Sequence, residues 1–130
     1  MVIDTSALLA ILLAEPDAEY YAGKIADADS RLLSAASLLE ASLVIESRTR
    51  DPQANADLDE LLNRAQIQVE PVTIEQAQIA REAFSKYGKG RHPAALNFGD
   101  CFSYTLSKST GQPLLFKGQD FAQTDIEIVG

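Results

Sequence analysis

The sequence predicts a three-layer α/β/α domain, in which helices cover both faces of a central parallel sheet of four or five strands. Short apolar runs alternate with longer segments of helical character along the chain, which is typical of parallel α/β folds. The apolar runs are nearly continuous, as expected for strands buried on both faces. We find no internal repeat and no linker-like stretch, so we expect residues 1–130 to form a single domain.

The first half of the chain predicts two strands and four helices. "VI" before Asp4 predicts a very short buried strand, and "TSALLAILLA" predicts a helix capped by Thr5 or Ser6. The next elements are a helix over residues 16–28, a strand at "RLLSA", a mostly buried helix at "SLLEASLVIESRTR", and a helix with Pro52 in its first turn that ends near Ala65.

The second half continues the alternation. "IQVEPV" predicts a strand, and "TIEQ" supplies a capping box, Thr73 with Gln76, for a helix to about Tyr87. The remaining elements are a loop at "GKGRHPAALN", a helix at "FGDCFSYTLSKST" ended by Gly111, and strands at "PLLFK" and "IEIV" separated by "GQDFAQTD".

Composition excludes several functional classes. The net charge of −8, from 11 Lys and Arg against 19 Asp and Glu, argues against a generally basic surface that coats nucleic acid. It fits a cation-binding acidic pocket or a basic protein partner. The single Cys101 allows no internal disulfide and is expected to pack as a small apolar side chain. "ALLAILLA" is too short to span a membrane and lacks the flanks of a signal peptide, so we expect a cytoplasmic protein with no membrane partner.

Three carboxylates stand isolated in apolar stretches of the chain, and a fourth acid follows an apolar strand. Asp4 has the only charged side chain before Glu15. Glu40 is the only one between residues 32 and 45, and Asp100 the only one between residues 93 and 107. Asp120 follows an apolar strand. Burying a single unpaired carboxylate is costly, so its repeated occurrence needs an explanation.

Each acid also has a structural interpretation. Asp4 could cap the first helix, and Ser37 with Glu40 matches a capping box. Asp100 could complement a helix dipole, and Asp120 could form an Asx turn. Taken together, however, two acids lie at carboxyl ends of strands and two in early helix turns, positions that can converge on one sheet edge.

Converging carboxylates would repel one another, and a divalent cation would remove that cost. Oxygen ligands suit Mg²⁺ or Mn²⁺ and predict metal-assisted phosphoryl transfer. Zinc is disfavoured because His92 and Cys101 are the only nitrogen or sulfur ligands of the kind it prefers. The sequence shows no phosphate-binding glycine motif and no nucleophile elbow.

Four blocks resemble the PIN-domain ribonucleases, specifically the VapC toxins of bacterial toxin–antitoxin pairs: "VIDTSALLAILLAEP", "SAASLLEASLVI", "GKGRHPAALNFGDCFSYTLSK" and "PLLFKGQDFAQTDI". The resemblance implies a PIN-like fold and a toxic endoribonuclease that depends on Mg²⁺ or Mn²⁺. It also implies a VapB-type antitoxin partner, an RNA substrate and a homodimer.

The resemblance also implies roles for individual residues. The family's four acids, which bind metal and carry catalysis, fall on Asp4, Glu40, Asp100 and Asp120. Thr5 and Ser6 match the hydroxyls that support the metal ligands. Asp125 also matches a family position, but we interpret it as structural because it precedes a strand.

A basic segment, "SKYGKGRH", is a candidate RNA contact. Lys86, Lys89, Arg91 and His92 precede the Asp100 helix and could hold phosphates beside the acids. The structural alternative is a solvated helix end with a glycine-rich exit.

Other functions fit the sequence less well. The main alternative is a non-catalytic PIN-fold module that binds RNA or protein. Receiver-like domains and haloacid-dehalogenase-type phosphatases are weaker alternatives, because Asp4 lacks the neighbouring acid that each of them needs.

Overall fold

The computed structural model describes all residues from Met1 to Gly130 and contains four short strands and six helices. The strands are β1 (Val2–Ile3), β2 (Leu32–Ser34), β3 (Gln68–Glu70) and β4 (Leu114–Leu115). The helices are α1 (Thr5–Leu12), α2 (Ala18–Asp27), α3 (Ala35–Thr49), α4 (Ala54–Arg64), α5 (Ile74–Tyr87) and α6 (Phe98–Thr110). The predicted α/β class is therefore confirmed.

The four strands form one parallel sheet in the order β3-β2-β1-β4. Val2 of the central strand β1 lies opposite Leu32 of β2 on one side and opposite Leu114 of β4 on the other. The chain moves from β1 outward to β2 and β3, and then returns to the opposite side of β1 as β4. This reversal creates a crevice beyond the carboxyl ends of β1 and β4, where ligands bind in open α/β sheets.

The core is divided between the two faces of the sheet, as alternation along β1 requires. Ile3 belongs to a buried cluster with residues of α1 to α4, including Leu8, Ile45 and Leu58. Val2 belongs to a second cluster that includes Leu106 of α6. None of the helices has the length and apolar character needed to cross a membrane.

The helix caps differ in part from the predictions. Asp4, rather than Thr5 or Ser6, caps α1, because its carboxylate accepts the Ser6 backbone N–H at 3.1 Å. Helix α3 begins at Ala35 with Ser34 as its cap, so the Ser37–Glu40 capping box does not form. Helices α2 and α4 begin two residues after Pro16 and Pro52, respectively.

Three further elements follow the sequence with small differences. Thr73 caps α5 by accepting the Gln76 N–H at 3.1 Å, whereas the buried Gln76 Oε1 has no hydrogen-bond partner, so the capping box is half formed. Gly111 ends α6 in the left-handed conformation, with φ of 70°, as predicted. "IEIV" makes only an isolated bridge between Ile128 and Leu114, which leaves a sheet of four strands.

Candidate active site

Asp4 lies at the carboxyl end of β1, and its buried carboxylate is held by three hydrogen bonds. Its Oδ2 accepts the backbone N–H of Ser6 at 3.1 Å and the Ser6 hydroxyl at 2.6 Å. Its Oδ1 accepts the Ser103 hydroxyl at 2.5 Å. The side chain is buried, with a residue exposure of 5 %, and no Lys, Arg or His pairs with it. The protein therefore buries a carboxylate among neutral donors only.

Asp100 lies in the first turn of α6, where it completes a capping box. Its Oδ2 accepts the Asn97 N–H at 3.0 Å, and its own N–H donates to Asn97 Oδ1 at 2.9 Å. Burial raises the pKa of Asp100 to about 7, although the Asn97 hydrogen bond lowers it, and the carboxylates of Asp4 and Asp120 raise it further. Asp4, Asp100 and Asp120 thus share one electrostatic environment.

Asp120 is exposed, in the turn that follows β4. The chain reaches it through Gly118, whose φ of 113° strongly favours glycine. The Asp120 carboxylate forms no ion pair, and it lies beside the Asp100 carboxyl, whose pKa it raises by its charge and by hydrogen bonding. Both acids are therefore available to one ligand at the crevice.

Glu40 reaches the same region from α3. Its carboxylate lies against the backbone of Gly99, because a Cβ atom added at Gly99 would stand 2.0 Å from Glu40 Oε2. Glu40 therefore lies beside the residue that precedes Asp100, at the N-terminal turn of α6. It makes no hydrogen bond or ion pair, and it is not among the groups that raise the pKa of Asp100.

The two hydroxyls that follow Asp4 have different partners. Ser6 contacts Asp4, and its Oγ also accepts the backbone N–H of Lys117 at 2.9 Å, which ties the end of β4 to the start of α1. Thr5 instead donates to the Ser37 carbonyl at 3.2 Å. Sequence reasoning missed Ser103, although its position three residues after Asp100 places both on one face of α6.

The basic segment has no contact with the acids. Lys86 lies over the Tyr87 ring at 5.0 Å, and the Arg91 guanidinium lies 5.8 Å from the Phe84 ring centroid. His92 Nδ1 accepts the Ala94 N–H at 3.0 Å, and Lys89 is exposed. None of these four residues forms an ion pair. Lys89 and Arg91 are exposed in the loop that leads to α6, whereas Lys86 lies on the side of Asp125 and Lys108, away from the acids of the site.

Asp125 has the structural role that the sequence predicted. Tyr104 Oη donates to its Oδ1 at 2.5 Å, and Lys108 pairs with its Oδ2 at 2.7 Å. Partial burial raises the pKa of Asp125, but the hydrogen bonds from Lys108 and Tyr104 outweigh it and hold that pKa below its usual value.

Buried Cys101 also behaves as a structural residue, as predicted. Its thiol donates to the Asn97 carbonyl at 3.3 Å. Burial raises the pKa of the thiol, and the neighbouring Asp100 carboxylate raises it further, which opposes reactivity as a thiolate.

The donor set fits a hard divalent cation, since it consists of carboxylate oxygens that perturb one another. No three His, Cys, Asp or Glu side chains are already arranged around a common metal position. Like charges are not expected to approach ligand spacing without a cation between them. Asp4, Asp100 and Asp120 are the candidate ligands, and Glu40 lies at the edge of the same site.

The raised pKa of Asp100 predicts an unusual pH dependence of stability. The folded protein keeps a proton on Asp100 up to about pH 7, whereas the unfolded chain releases it near pH 3.8. The metal-free protein should therefore lose stability as the pH rises from 5 to 8, by about 1 to 2 kcal/mol after allowance for solvent screening. Chemical denaturation at several pH values measures this loss.

Two variants test the assignment to Asp100. Asp100→Asn removes the titrating group and should flatten the profile between pH 5 and 8. Asp125→Asn should lower stability throughout this range and leave the slope unchanged, because the lowered pKa of Asp125 makes it titrate at more acidic pH. A wild-type slope in Asp100→Asn would contradict the assignment.

A family model described as PIN domain matches residues 1–127. A curated Ribonuclease VapC of Mycolicibacterium smegmatis is 55% identical over 129 residues, covering 99% of each chain. Ribonuclease VapC30 of Mycobacterium tuberculosis is 54% identical and covers 99% of this chain and 98% of its own.

Two solved structures share the fold at low sequence identity. Mycobacterium tuberculosis VapC20, described as a sarcin-ricin loop cleaving toxin, has a TM-score of 0.79 at 19% identity and covers 98% of this chain and 97% of its own. VapBC2 from Rickettsia felis, bound to a DNA fragment from its promoter, has a TM-score of 0.78 at 15% identity and covers 99% of this chain and 96% of its own.

Proposed function

The chain belongs to the PIN-domain family and to its VapC ribonucleases, and on this premise we propose that it is a toxic, Mg²⁺- or Mn²⁺-dependent endoribonuclease of a toxin–antitoxin pair. We take residues 1–130 as one PIN domain that acts on RNA in the cytoplasm. The main supporting observation is that the acids converge: Ser103, one helical turn after Asp100, contacts the buried Asp4 carboxylate at 2.5 Å, and the carboxylates of Asp4 and Asp120 help burial to raise the pKa of Asp100. A site of this kind favours a divalent cation over three uncompensated charges.

The residues of the chain have distinct parts in the proposed hydrolysis. Asp4, Asp100 and Asp120 would hold the cation, and Asp100 must first lose its proton. A bound divalent cation would neutralise charge at the scissile phosphate and lower the pKa of the attacking water, so that this water loses a proton more readily. Glu40, whose carboxylate has no hydrogen bond, can accept the proton of the attacking water. The bond from phosphorus to the leaving oxygen then breaks, and that oxygen takes up a proton from solvent.

We propose that the basic segment holds the RNA strand beside this site. Lys86, Lys89, Arg91 and His92 have no carboxylate partner, so each can offer its polar head to a phosphate. Lys89 and Arg91 are exposed next to the α6 N-terminus. A Lys89→Ala, Arg91→Ala variant should bind RNA more weakly with a shallower salt dependence, and unchanged binding would remove this role.

We propose that the inhibitor is a VapB-type antitoxin with a basic side chain aimed at the acids. The Rickettsia felis structure contains VapBC2. In this chain, Asp4, Glu40, Asp100 and Asp120 have no cationic partner, whereas Lys117 already pairs with Glu15 and Asp17, each at 3.0 Å. A guanidinium from a partner can bind carboxylates in bidentate fashion and would supply the positive charge that these acids lack within the chain.

We also propose a homodimer, which the resemblance to VapC toxins implies. An apolar face on α3 and α6 exposes Leu39, Leu43 and Phe98, with Phe98 79% accessible. Side chains of this size are seldom clustered in solvent without a partner. Light scattering should give twice the 14.1 kDa chain mass. Phe98→Asp should give a monomer, and a monomeric wild type would rule the homodimer out.

The test of the proposed function is RNA cleavage by the purified chain without its antitoxin. We expect cleavage of single-stranded RNA with Mg²⁺ or Mn²⁺, none with EDTA, and recovery when excess metal is restored. The carboxylates alone supply no nucleophile, so metal removal should stop the reaction. A protein that binds RNA but does not cut it with either metal would instead be the non-catalytic binding module.

A further inference from the structure

Ser103 is a fully buried polar residue beneath the candidate metal site. Its relative accessibility is 0 %, and it lies one helical turn after Asp100 on α6. Its hydroxyl donates to Asp4 Oδ1 at 2.5 Å, across 99 residues of sequence. On the other oxygen of the same carboxylate, the Ser6 hydroxyl donates to Oδ2 at 2.6 Å. A hydroxyl on each oxygen fixes the plane of the carboxylate.

A second buried serine, Ser37, is hydrogen-bonded to Ser103. Ser37 Oγ on α3 lies 3.4 Å from Ser103 Oγ. A serine hydroxyl has one hydrogen, and Ser103 gives its hydrogen to Asp4, so Ser37 must be the donor in this pair. The Ser37 carbonyl in turn accepts the Thr5 hydroxyl at 3.2 Å. This buried hydroxyl chain therefore runs from α3 through Ser103 to Asp4 and links α1, α3 and α6.

We propose that Ser103 is a positioning residue that holds the Asp4 carboxylate in its metal-binding orientation. The proposal rests on the function proposed above. Partners that orient a metal ligand typically contribute about 10- to 100-fold to metal affinity or activity. Asp4 needs such support because all of its hydrogen-bond donors are neutral and no cation within the chain restrains it. Since α6 carries both Asp100 and Ser103, one helix presents one acid and orients the other.

A neighbouring serine provides a matched control. Ser107 lies one turn further along α6, is 3% accessible, and donates its hydroxyl to the Gln112 carbonyl at 2.6 Å. Ser103→Ala also leaves the Ser37 hydroxyl without its acceptor. Otherwise Ser103→Ala and Ser107→Ala each remove a buried hydroxyl from the same helix and leave one oxygen acceptor unpaired. They differ in whether that acceptor is the Asp4 carboxylate.

The experiment measures Mn²⁺ binding to the full-length chain by titration calorimetry, together with thermal melting. We expect Ser103→Ala to raise the dissociation constant for Mn²⁺ at least 10-fold, and Ser107→Ala to leave it within twofold of wild type. Both variants should melt at lower temperatures than wild type. An unchanged Mn²⁺ affinity in folded Ser103→Ala would overturn the proposal, and so would an equal loss in Ser107→Ala.

Cleavage as a function of metal concentration gives a second readout. Ser103→Ala should need more Mn²⁺ for half-maximal rate but recover to within several-fold of the wild-type rate at saturation, because Asp4 is still present. A rate that stays at the Asp4→Asn level at saturating metal would overturn a positioning role.

A misfolded Ser103→Ala variant and a wild type without metal binding are the two remaining outcomes, and each leads to a separate conclusion. If Ser103→Ala fails to fold, Ser103→Cys decides, because a thiol of similar size is a much weaker donor. A weaker Mn²⁺ affinity in Ser103→Cys then supports the proposal, and wild-type affinity overturns it. If wild type itself neither binds Mn²⁺ nor cuts RNA, the proposed function fails and Ser103 has no metal ligand to position.

Discussion

Asp100→Asn should reduce RNA cleavage at least about 100-fold while leaving the protein folded. The loss follows because the change removes one of the proposed anionic ligands of the cation. Asp100 lies where burial and the carboxylates of Asp4 and Asp120 raise its pKa, which is where a cation is most needed. An asparagine oxygen can still accept the Asn97 N–H, so the helix cap should survive the change. A cleavage assay at saturating Mg²⁺, with circular dichroism on the same sample, measures both effects.

The control for this prediction is Asp125→Asn. It also removes one carboxylate, but one that Tyr104 and Lys108 hold at 2.5 and 2.7 Å. Its cleavage rate should stay within a fewfold of wild type, with some loss of stability. Activity within threefold of wild type in Asp100→Asn would show that Asp100 serves only as a helix cap.

Expression of the chain without its antitoxin should arrest bacterial growth, because an unrestrained ribonuclease degrades RNA that the cell needs. Co-expression of a small antitoxin encoded beside it should restore growth. Asp4→Asn should be harmless without the antitoxin, since it removes one of the anionic ligands that we propose hold the catalytic cation. Growth curves after induction, with equal protein levels checked by immunoblot, test all three outcomes.

This comparison separates catalytic poisoning from the burden of overexpression. The antitoxin should also inhibit RNA cleavage by the purified wild-type protein, and the fraction of activity lost should equal the fraction of protein bound by the antitoxin. If wild type and Asp4→Asn slow growth equally, the toxin assignment is wrong, whatever the fold.

The parts of the fold that depend on local sequence could be predicted. Continuous apolar runs placed β1, β2 and β4, and glycine in the left-handed region ended α6 at Gly111. The start of α3 could not be predicted as easily, because both Ser34 and Ser37 are good caps. Ser37 is buried against Ser103, and this tertiary contact favours Ser34 as the cap.

The acids of the candidate site were predictable because their isolation in apolar segments is visible in the sequence. Two of them also cap helices, so the structural and functional interpretations coexist. Asp4 begins α1 and Asp100 completes a capping box, yet burial and mutual repulsion raise the pKa of Asp100. Capping a helix does not require a second carboxylate nearby, so capping alone does not explain why these acids lie together.

The support beneath the acids was less predictable. Ser103 contacts Asp4 across 99 positions, a pairing that only the sheet order creates. Thr5 is next to Asp4 in sequence but bonds to Ser37, because neighbouring residues in a helix point in different directions. Of the two hydroxyls next to Asp4 in sequence, Ser6 contacts the Asp4 carboxylate and Thr5 does not.

We propose that Asp4, Asp100 and Asp120 together bind one divalent cation. Anomalous scattering from crystals grown at pH 8 with Mn²⁺ tests this shared cation site most directly. The pH lies above the pKa of about 7 for Asp100, so that carboxyl is ionised. We expect an anomalous peak between the carboxylates of Asp4 and Asp100, with Asp120 turned toward it, and no peak in Asp4→Asn crystals. A peak bound only by other residues, or none at saturating Mn²⁺, would contradict the claim.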